Sequence, residues 1–155
     1  MPVNDQGKSA AWVLPLAAQW RAAVGERELM HLVEFPTLLE VPKSPFYCRQ
    51  VLLWNDMILP AMDLAAWLKG HAEQKTQQLA GIFAYQYYPN DAPHYGALLL
   101  CAIPTRIWVS DKQACALPSV PMGWQSLAIS CFADGDDVIP ILDLPFVFSG
   151  ALLKI

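Results

Sequence analysis

Charged residues are scarce in this chain, and positive charge is not in excess. Only 15% of the 155 residues are Asp, Glu, Lys or Arg, against about 25% in an ordinary soluble domain. The 14 acidic residues outnumber the 10 basic ones and give a formal net charge of −4. The sequence therefore lacks the basic surface that binds nucleic acid or anionic lipid, and we expect no nucleic-acid partner.

Long apolar runs and a leader sequence are also missing. The sequence contains no run of about 18 uninterrupted apolar residues that could cross a membrane. The segment Met1-Pro2-Val3-Asn4-Asp5 lacks the basic and apolar regions of a signal peptide. These absences predict a cytoplasmic protein with no direct membrane insertion.

The residues that carry enzyme chemistry do not form a recognisable set. The three histidines are isolated, and the sequence has no nucleophile elbow, phosphate-binding loop, zinc-protease motif or dinucleotide-binding motif. The cysteines are far apart and include no CxxC pair: Cys48, Cys101, Cys115 and Cys131. We interpret them as small buried hydrophobes, and we expect no catalytic residue, no metal site and no cofactor.

Apolar and aromatic residues, by contrast, are abundant. Hydrophobic residues make up 55% of the chain, against roughly 45–50% in an average domain. The aromatic residues are 6 Trp, 5 Tyr and 6 Phe. This is more apolar material than a core of this size needs, so we expect part of it to fill a seam between lobes and part to contact other proteins.

The first 25 residues have a pattern of their own. Trp12, Leu16, Trp20 and Val24 recur every four residues, which predicts the apolar stripe of a helix. We therefore predict a partly helical N-terminal extension over residues 1–25. The stripe either packs on the body of the protein or binds a partner.

From residue 26 the pattern changes to strands. Short segments rich in β-branched, aromatic or Leu residues are bounded by Pro, Gly, Asn or Asp, which indicates an antiparallel barrel or sandwich. Asn55-Asp56 and Asp134-Gly135 predict two-residue hairpin turns, and residues 90–93 predict a longer one. The predicted strands are 28–35, 49–54, 57–62, 79–88, 95–103, 106–109, 125–133 and 137–142.

An internal repeat organises this part of the chain. Residues 58–64, ILPAMDL, recur as residues 138–144, VIPILDL, and each copy follows a predicted hairpin turn. Each predicts a strand that runs into a short helix, capped by Asp63 or Asp143 and ended by a Gly. Because both carboxylates stand at a helix start, capping is favoured over a catalytic carboxylate pair.

The repeat predicts the domain organisation. Its two copies indicate two similar β lobes, one over about residues 26–70 and the other over about residues 79–150. Together they form one predicted domain over residues 26–150.

Residues 41–64 resemble the signature of the CheW-like chemotaxis coupling proteins. That signature has a P-x-x-P element, then a hairpin, then I-x-P-V-x-D-L. The positions in register without a gap are Pro42, Pro45, Val51, Ile58, Pro60, Asp63 and Leu64. Residues 95–103 and 138–148 look like two later elements of the family in the same order, so the resemblance covers about residues 26–149.

The resemblance implies both a fold and a function. The fold is mainly β, with two small SH3-like, five-stranded β-barrel lobes packed around a common hydrophobic core, short helices and, from the pattern above, an N-terminal helical segment. The function is that of a non-enzymatic adaptor, or scaffold, in bacterial chemosensory signal transduction. Its implied partners are a CheA-type histidine kinase and chemoreceptor cytoplasmic domains, and a non-flagellar motility pathway is one setting that it allows.

The resemblance also implies a protein-binding edge at the first hairpin. The family contacts its partners in this neighbourhood, and the predicted protein-binding residues are Arg49, Leu53, Asn55 and Asp56. Gln50, Leu53, Asn55 and Asp56 stand where the family has Gly, Asn, Arg and Gly. The alternative interpretation is a hairpin that only closes the barrel.

The aromatic content supports a second hypothesis of a different class. A β barrel with little charge and many aromatic side chains is also suited to bind a small apolar or aromatic ligand. That hypothesis predicts an enclosed cavity lined by several Trp or Tyr side chains, and a solid core in both lobes contradicts it.

Overall fold

A computed structural model describes residues 7–72 and 79–149 of the chain. These residues form eleven strands and four short helical segments. The first half contains β1 Ser9–Ala17, β2 Trp20–Gly25, β3 Leu29–Glu34, β4 Thr37–Glu40, β5 Gln50–Trp54, β6 Met57–Met62 and α1 Leu64–Lys69. The second half contains β7 Leu79–Tyr85, β8 His94–Leu100, β9 Thr105–Val109, a 3₁₀ turn Asp111–Gln113, α2 Trp124–Leu127, β10 Ala128–Asp134, β11 Asp137–Leu142 and α3 Leu144–Val147.

The strands form two sheets, and the protein is mainly β as predicted. Sheet A has the strand order β10-β11-β2-β1-β9, and sheet B has the order β3-β7-β8-β6-β5-β4. Most neighbouring strands are antiparallel. Two short pairings are parallel: β11 pairs with β2 at one position, and β6 pairs with β8 at two.

The two sheets share one plan. In sheet B, the hairpin β5–β6 leads through α1 to the hairpin β7–β8, whose second strand lies beside β6. In sheet A, the hairpin β10–β11 leads into α3, but the strand beside β11 is β2, which comes from the other end of the chain. The sequence repeat therefore marks equivalent strands, and the N-terminal hairpin β1–β2 completes sheet A.

The sheets divide the chain differently from the predicted lobes. β7 and β8, which the repeat assigns to the second lobe, lie in sheet B with β3–β6. β1 and β2, which the N-terminal pattern assigns to an extension, are inner strands of sheet A. The difference arises because sheet membership depends on long-range pairing, of β2 with β11 and of β8 with β6, which no local pattern marks.

The predicted N-terminal helix is wrong. Trp12 and Leu16 lie in β1, and Trp20 and Val24 lie in β2. A spacing of four keeps side chains on one face of a helix, but because four is even it also keeps them on one face of a strand. That face packs in the central core, while the opposite face, with Val13, packs in a smaller core. Burial of both faces hides the alternation that indicates a half-buried strand.

The hydrophobic core has one central cluster and two smaller ones. The central cluster lies between the sheets and includes Leu14 of β1, Met62 of β6, Leu98 of β8 and Leu144 of α3. One smaller cluster belongs to sheet B and includes Leu52, and the other belongs to sheet A. The expected seam between two lobes is therefore the largest part of the core.

The predicted hairpin turns are present. Asn55 and Asp56 have φ values of 47° and 62°, and a type I′ turn requires positive φ at both central residues. The second tight turn is one residue later than predicted, because Asp134 pairs with Asp137 and Gly135 starts the loop. Residues 90–93 lie in the longer loop between β7 and β8.

The two Asp residues of the repeat are helix caps, as predicted. The carboxylates of Asp63 and Asp143 each accept a hydrogen bond from the backbone N–H three residues later, at 3.1 and 3.3 Å. Gly70 ends α1 with a φ of 86°, the left-handed conformation expected there. Gly150, predicted to end the second helix, lies outside the described residues.

The eight predicted strands all overlap observed strands, with shifted ends. The main shift is at residues 124–127, which form α2 before β10 begins. β1, β2 and β4 were not predicted. Within residues 7–72 and 79–149, no helix has the length and apolar character needed to span a membrane.

Candidate functional site

The ribbon β4–β5–β6 has one buried face and one exposed face. Because side chains alternate along a strand, Leu52 of β5 points into the sheet B core and is fully buried, while its neighbour Leu53 is 40% exposed. In β4, Leu39 is 50% exposed, and in β6, Ile58 is 70% exposed. The outward positions of these strands are thus occupied by large aliphatic side chains.

The strand register brings these side chains into two rows. Leu39 lies opposite Val51, which lies opposite Pro60, and Leu53 lies opposite Ile58. Side chains of directly opposite residues are in contact distance on one face of the sheet. We call these five residues the outer patch.

The central cluster between the two sheets covers only part of this face of sheet B. Met62, at the end of β6, and Leu98, in the neighbouring strand β8, are fully buried in the central cluster. The outer patch lies on the same face of sheet B but farther from the central cluster, on strands β6, β5 and β4. The fold therefore leaves an apolar half-face without an intramolecular cover in the described residues.

The four predicted binding residues lie along one strand and its turn. Leu53 is part of the outer patch, and Asn55 and Asp56 form the exposed turn that follows it. Arg49 precedes β5, four residues before Leu53, so at about 3.4 Å per residue the two are roughly 14 Å apart. The structure thus places three of the four residues together and Arg49 at the far end of β5.

Charged groups surround the outer patch. The guanidinium of Arg49 lies 3.6 Å from the carboxylate of Glu40, and both side chains are more than half exposed. An exposed pair of this kind contributes about 0–1 kcal/mol to stability. Arg49 is therefore available to a partner at little cost, and Asp56 adds a negative charge at the opposite end. An apolar centre with a charged rim is the usual composition of a protein interface.

The sequence pattern missed the most exposed members of the outer patch. Ile58 was identified only as a motif position, and Leu39 lies in a strand of four residues that was not predicted. A usable signal is present in β6, where exposed Ile58 alternates with buried Leu59. For Leu39 no local signal suffices, because its exposure depends on the pairing of β4 with β5.

A half-open cavity of about 190 Å³ lies in sheet A. Its lining comes mainly from small or apolar side chains of β1, β2, β9, β10 and β11, among them Ala11, Ala23, Val109, Phe132 and Ile141. No Trp or Tyr lines it. It is therefore not the aromatic-lined cavity that the small-ligand hypothesis predicts.

Metal-ligating residues do not cluster in the described part of the chain, and two neighbouring titratable groups are shielded by burial. No group of three or more His, Cys, Asp or Glu in the described part of the chain could hold a metal ion. Burial raises the pKa of the Cys48 thiol, which keeps it protonated and unreactive near neutral pH. Burial likewise raises the pKa of the Tyr47 hydroxyl beside it.

Comparison with known proteins identifies a family, and solved structures share the fold. Residues 13–151 match the family model of the CheW-like domain. The fold is similar to the crystal structure of the scaffolding protein TtCheW from Thermoanaerobacter tengcongensis, with a TM-score of 0.74 and 15% sequence identity over 92% of this chain and 88% of that chain. The search of curated proteins found no match. The matched family region begins inside β1, so it includes β2 and all later strands.

Proposed function

The chain belongs to the CheW-like family, and we propose that it is a non-enzymatic cytoplasmic scaffold that couples a CheA-type histidine kinase to the cytoplasmic domains of chemoreceptors. Family membership supports a scaffold of chemotaxis signalling. The identity of the two partners, the cytoplasmic location and the surface that each partner contacts are the proposal.

The observation that carries the proposal is the outer patch. Leu39, Leu53 and Ile58 are 50%, 40% and 70% exposed on one face of sheet B. Contiguous exposed aliphatic side chains on a folded domain are typical of protein-binding sites. We assign this face to the regulatory domain of the kinase, with Leu53 in the contact and Arg49, Asn55 and Asp56 at its rim.

The receptor then binds a surface that the kinase leaves free. A scaffold that holds both partners converts their encounter into an intramolecular event and raises the effective concentration of one near the other. The outer patch lies on the β4–β5 side of sheet B, beyond the part of the same face that packs in the central cluster, so a kinase bound there occupies a site separate from sheet A. Simultaneous binding is therefore sterically open.

The test is a titration of the purified protein with the kinase regulatory domain and, separately, with receptor cytoplasmic tips from the same genome. Ile58→Asp places a charge in the outer patch, and Val138→Asp is the matched control. Val138 occupies the equivalent position of the repeat, on the hairpin β10–β11, and is 43% exposed. Substitution at either exposed position should change the free energy of unfolding by about 0.5 kcal/mol or less.

We expect Ile58→Asp to weaken kinase binding by at least about tenfold, which corresponds to 1.4 kcal/mol, because an unpaired charge is buried at the interface. Val138→Asp should change it by less than about twofold, and both variants should keep receptor binding. Equal losses in the two variants would contradict the assignment of the face. A folded protein that binds neither partner would contradict the proposed function.

A further inference from the structure

Two of the four cysteines lie side by side at the edge of sheet A, one in strand β10 and the other in the irregular segment that follows the 3₁₀ turn. The backbone N–H of Cys115 donates a hydrogen bond to the carbonyl oxygen of Cys131 at 3.1 Å, and the preceding residue, Ala114, forms a β-bridge with Phe132. The sulfur atoms of Cys115 and Cys131 are 3.5 Å apart. The cysteines are therefore not four separate hydrophobes: Cys48 and Cys131 are buried, but Cys115 is only half-buried and contacts a second thiol.

The sequence repeat explains why both thiols point to the same side. Cys131 lies opposite Pro140 in sheet A, as Val51 lies opposite Pro60 in sheet B. Cys115 then takes the place that Leu39 has beside Val51. Opposite residues of an antiparallel pair project to one face, and their Cα atoms are about 5.5 Å apart when they are hydrogen-bonded. That separation is within the range of about 4.4–6.8 Å found in disulfides.

We propose that Cys115 and Cys131 form a modification site at which a low-molecular-weight disulfide, such as oxidised glutathione, converts the two thiols to an intramolecular disulfide. Cys115 reacts first because it is the more exposed of the two. Its thiolate attacks one sulfur of glutathione disulfide, the reagent's S–S bond breaks, and one glutathione leaves and takes up a proton. This step leaves a mixed disulfide on Cys115.

The second step closes the protein disulfide. The thiolate of Cys131 attacks the sulfur of Cys115, the mixed disulfide breaks, and the second glutathione leaves with a proton. In total the two protein thiols lose two electrons and two protons, and glutathione disulfide gains these electrons and protons as it becomes two glutathione thiols. Burial, with the hydrogen bond to Cys115, raises the pKa of Cys131 to about 12. Its thiolate is therefore scarce near neutral pH, and ring closure should become faster as the pH rises.

The disulfide would tie the segment between the two cysteines to sheet A. That segment contains α2, whose Trp124 and Leu127 are buried in the central cluster. The bond therefore joins a segment that packs on the core to an edge strand, β10, without passing through the outer patch. Oxidation should leave the fold in place.

The test is native oxidation followed by mass spectrometry. The dilute, fully reduced protein is incubated with oxidised glutathione at two pH values, the remaining thiols are alkylated, and the intact mass and peptide map are recorded. Before alkylation, the oxidised protein should be about 2 Da lighter than the reduced chain. The peptide map should show a linkage between Cys115 and Cys131, and this linkage should form faster at the higher pH. Circular dichroism should show the same spectrum before and after oxidation.

Single substitutions separate the two steps. Cys131→Ser should stop at a mixed disulfide on Cys115, about 305 Da heavier than the reduced variant, and Cys115→Ser should give no intramolecular linkage. Cys101→Ser is the matched control, because Cys101 is also half-buried, and it should oxidise like the original protein. The proposal is overturned if the original protein keeps four free thiols, keeps a stable mixed disulfide on Cys115, or forms a linkage through Cys48 or Cys101.

Discussion

Removal of residues 1–25 should abolish the fold, although the sequence pattern assigns these residues to an extension outside the domain. In the structure, β1 lies between β9 and β2, and β2 lies between β1 and β11. Deletion of the hairpin therefore takes two strands from the interior of sheet A. It leaves β9 without its partner and turns β11 into an edge strand.

The burial of the hairpin gives the magnitude. Val13, Leu14, Leu16 and Val24 are each at most 3% exposed. Complete burial of a side chain of this kind stabilises the folded state by about 1.5–3 kcal/mol, so the four together contribute roughly 6–12 kcal/mol. Because an entire domain has a free energy of unfolding of about 5–15 kcal/mol, the chain without residues 1–25 should have little or no stability left.

The assay is urea unfolding followed by tryptophan fluorescence, together with far-UV circular dichroism. The full chain should unfold in one cooperative transition, and the chain that begins at residue 26 should show none. A deletion of residues 1–6, which stops before β1, is the control for shortening the chain. A circular permutant with residues 1–25 joined after residue 155 should regain the transition, because in sheet B the equivalent hairpin follows the equivalent helix in the chain.

A chain of residues 26–155 with a cooperative transition and the strand content of the full protein would refute this reasoning. It would mean that residues 26–150 form an autonomous domain and that β1 and β2 only dock on it. If the permutant also fails to fold, the new connection that it introduces between α3 and β1 accounts for its own loss, and only the deletion then tests the role of the hairpin.

Three further predictions concern stability. Gly96→Ala should lower the free energy of unfolding by about 1–3 kcal/mol, because its new Cβ would overlap the ring of Phe148. The cost should shrink in a Phe148→Leu background, and additive effects in urea unfolding would contradict the contact. Burial raises the pKa of Glu28, so this carboxyl group binds a proton more tightly in the folded state than in the unfolded state. Its ionisation as the pH rises therefore lowers the free energy of unfolding. Glu28→Gln should therefore raise the urea midpoint near neutral pH but leave it unchanged well below the ordinary carboxyl pKa of about 4.3, and equal shifts at both pH values would exclude this cause. Asp63→Ala and Asp143→Ala should each cost about 0.5–2 kcal/mol in thermal unfolding, and an unaffected variant would show that its cap contributes nothing.

Local features of the fold could be predicted from the sequence because their causes are local. The hairpin at Asn55-Asp56 and the caps at Asp63 and Asp143 depend on residues within four positions of each other. β4 could not be predicted, because Thr37–Glu40 is too short to show a strand period. It is a strand because it pairs with β5. The N-terminal strands have a helix-like pattern for a related reason, because burial on both faces removes the strand period.

The candidate site was predictable only in part, because its local motif is visible in the sequence and its long-range surroundings are not. The family motif pointed to the hairpin and so to Leu53, but exposure of a side chain depends on which element covers it. Leu98 and Leu53 lie on the same side of sheet B, yet Leu98 is fully buried under the other lobe and Leu53 is 40% exposed. The contact of Cys115 with Cys131 is similar, because an irregular segment and α2 separate the two cysteines in the chain.

The repeat also bears on the proposed scaffold function. Its two copies give equivalent strands, but the equivalent rows of side chains differ: exposed or half-buried Leu39, Val51 and Pro60 in sheet B correspond to half-buried Cys115 and buried Cys131 and Pro140 in sheet A. Sheet B adds a complete strand, β4, where sheet A has a single bridge at Ala114. Equivalent backbones with unlike surfaces select different partners, since side chains rather than fold decide specificity. Under the proposed function, a kinase bound at the outer patch therefore has no second copy of its site on sheet A.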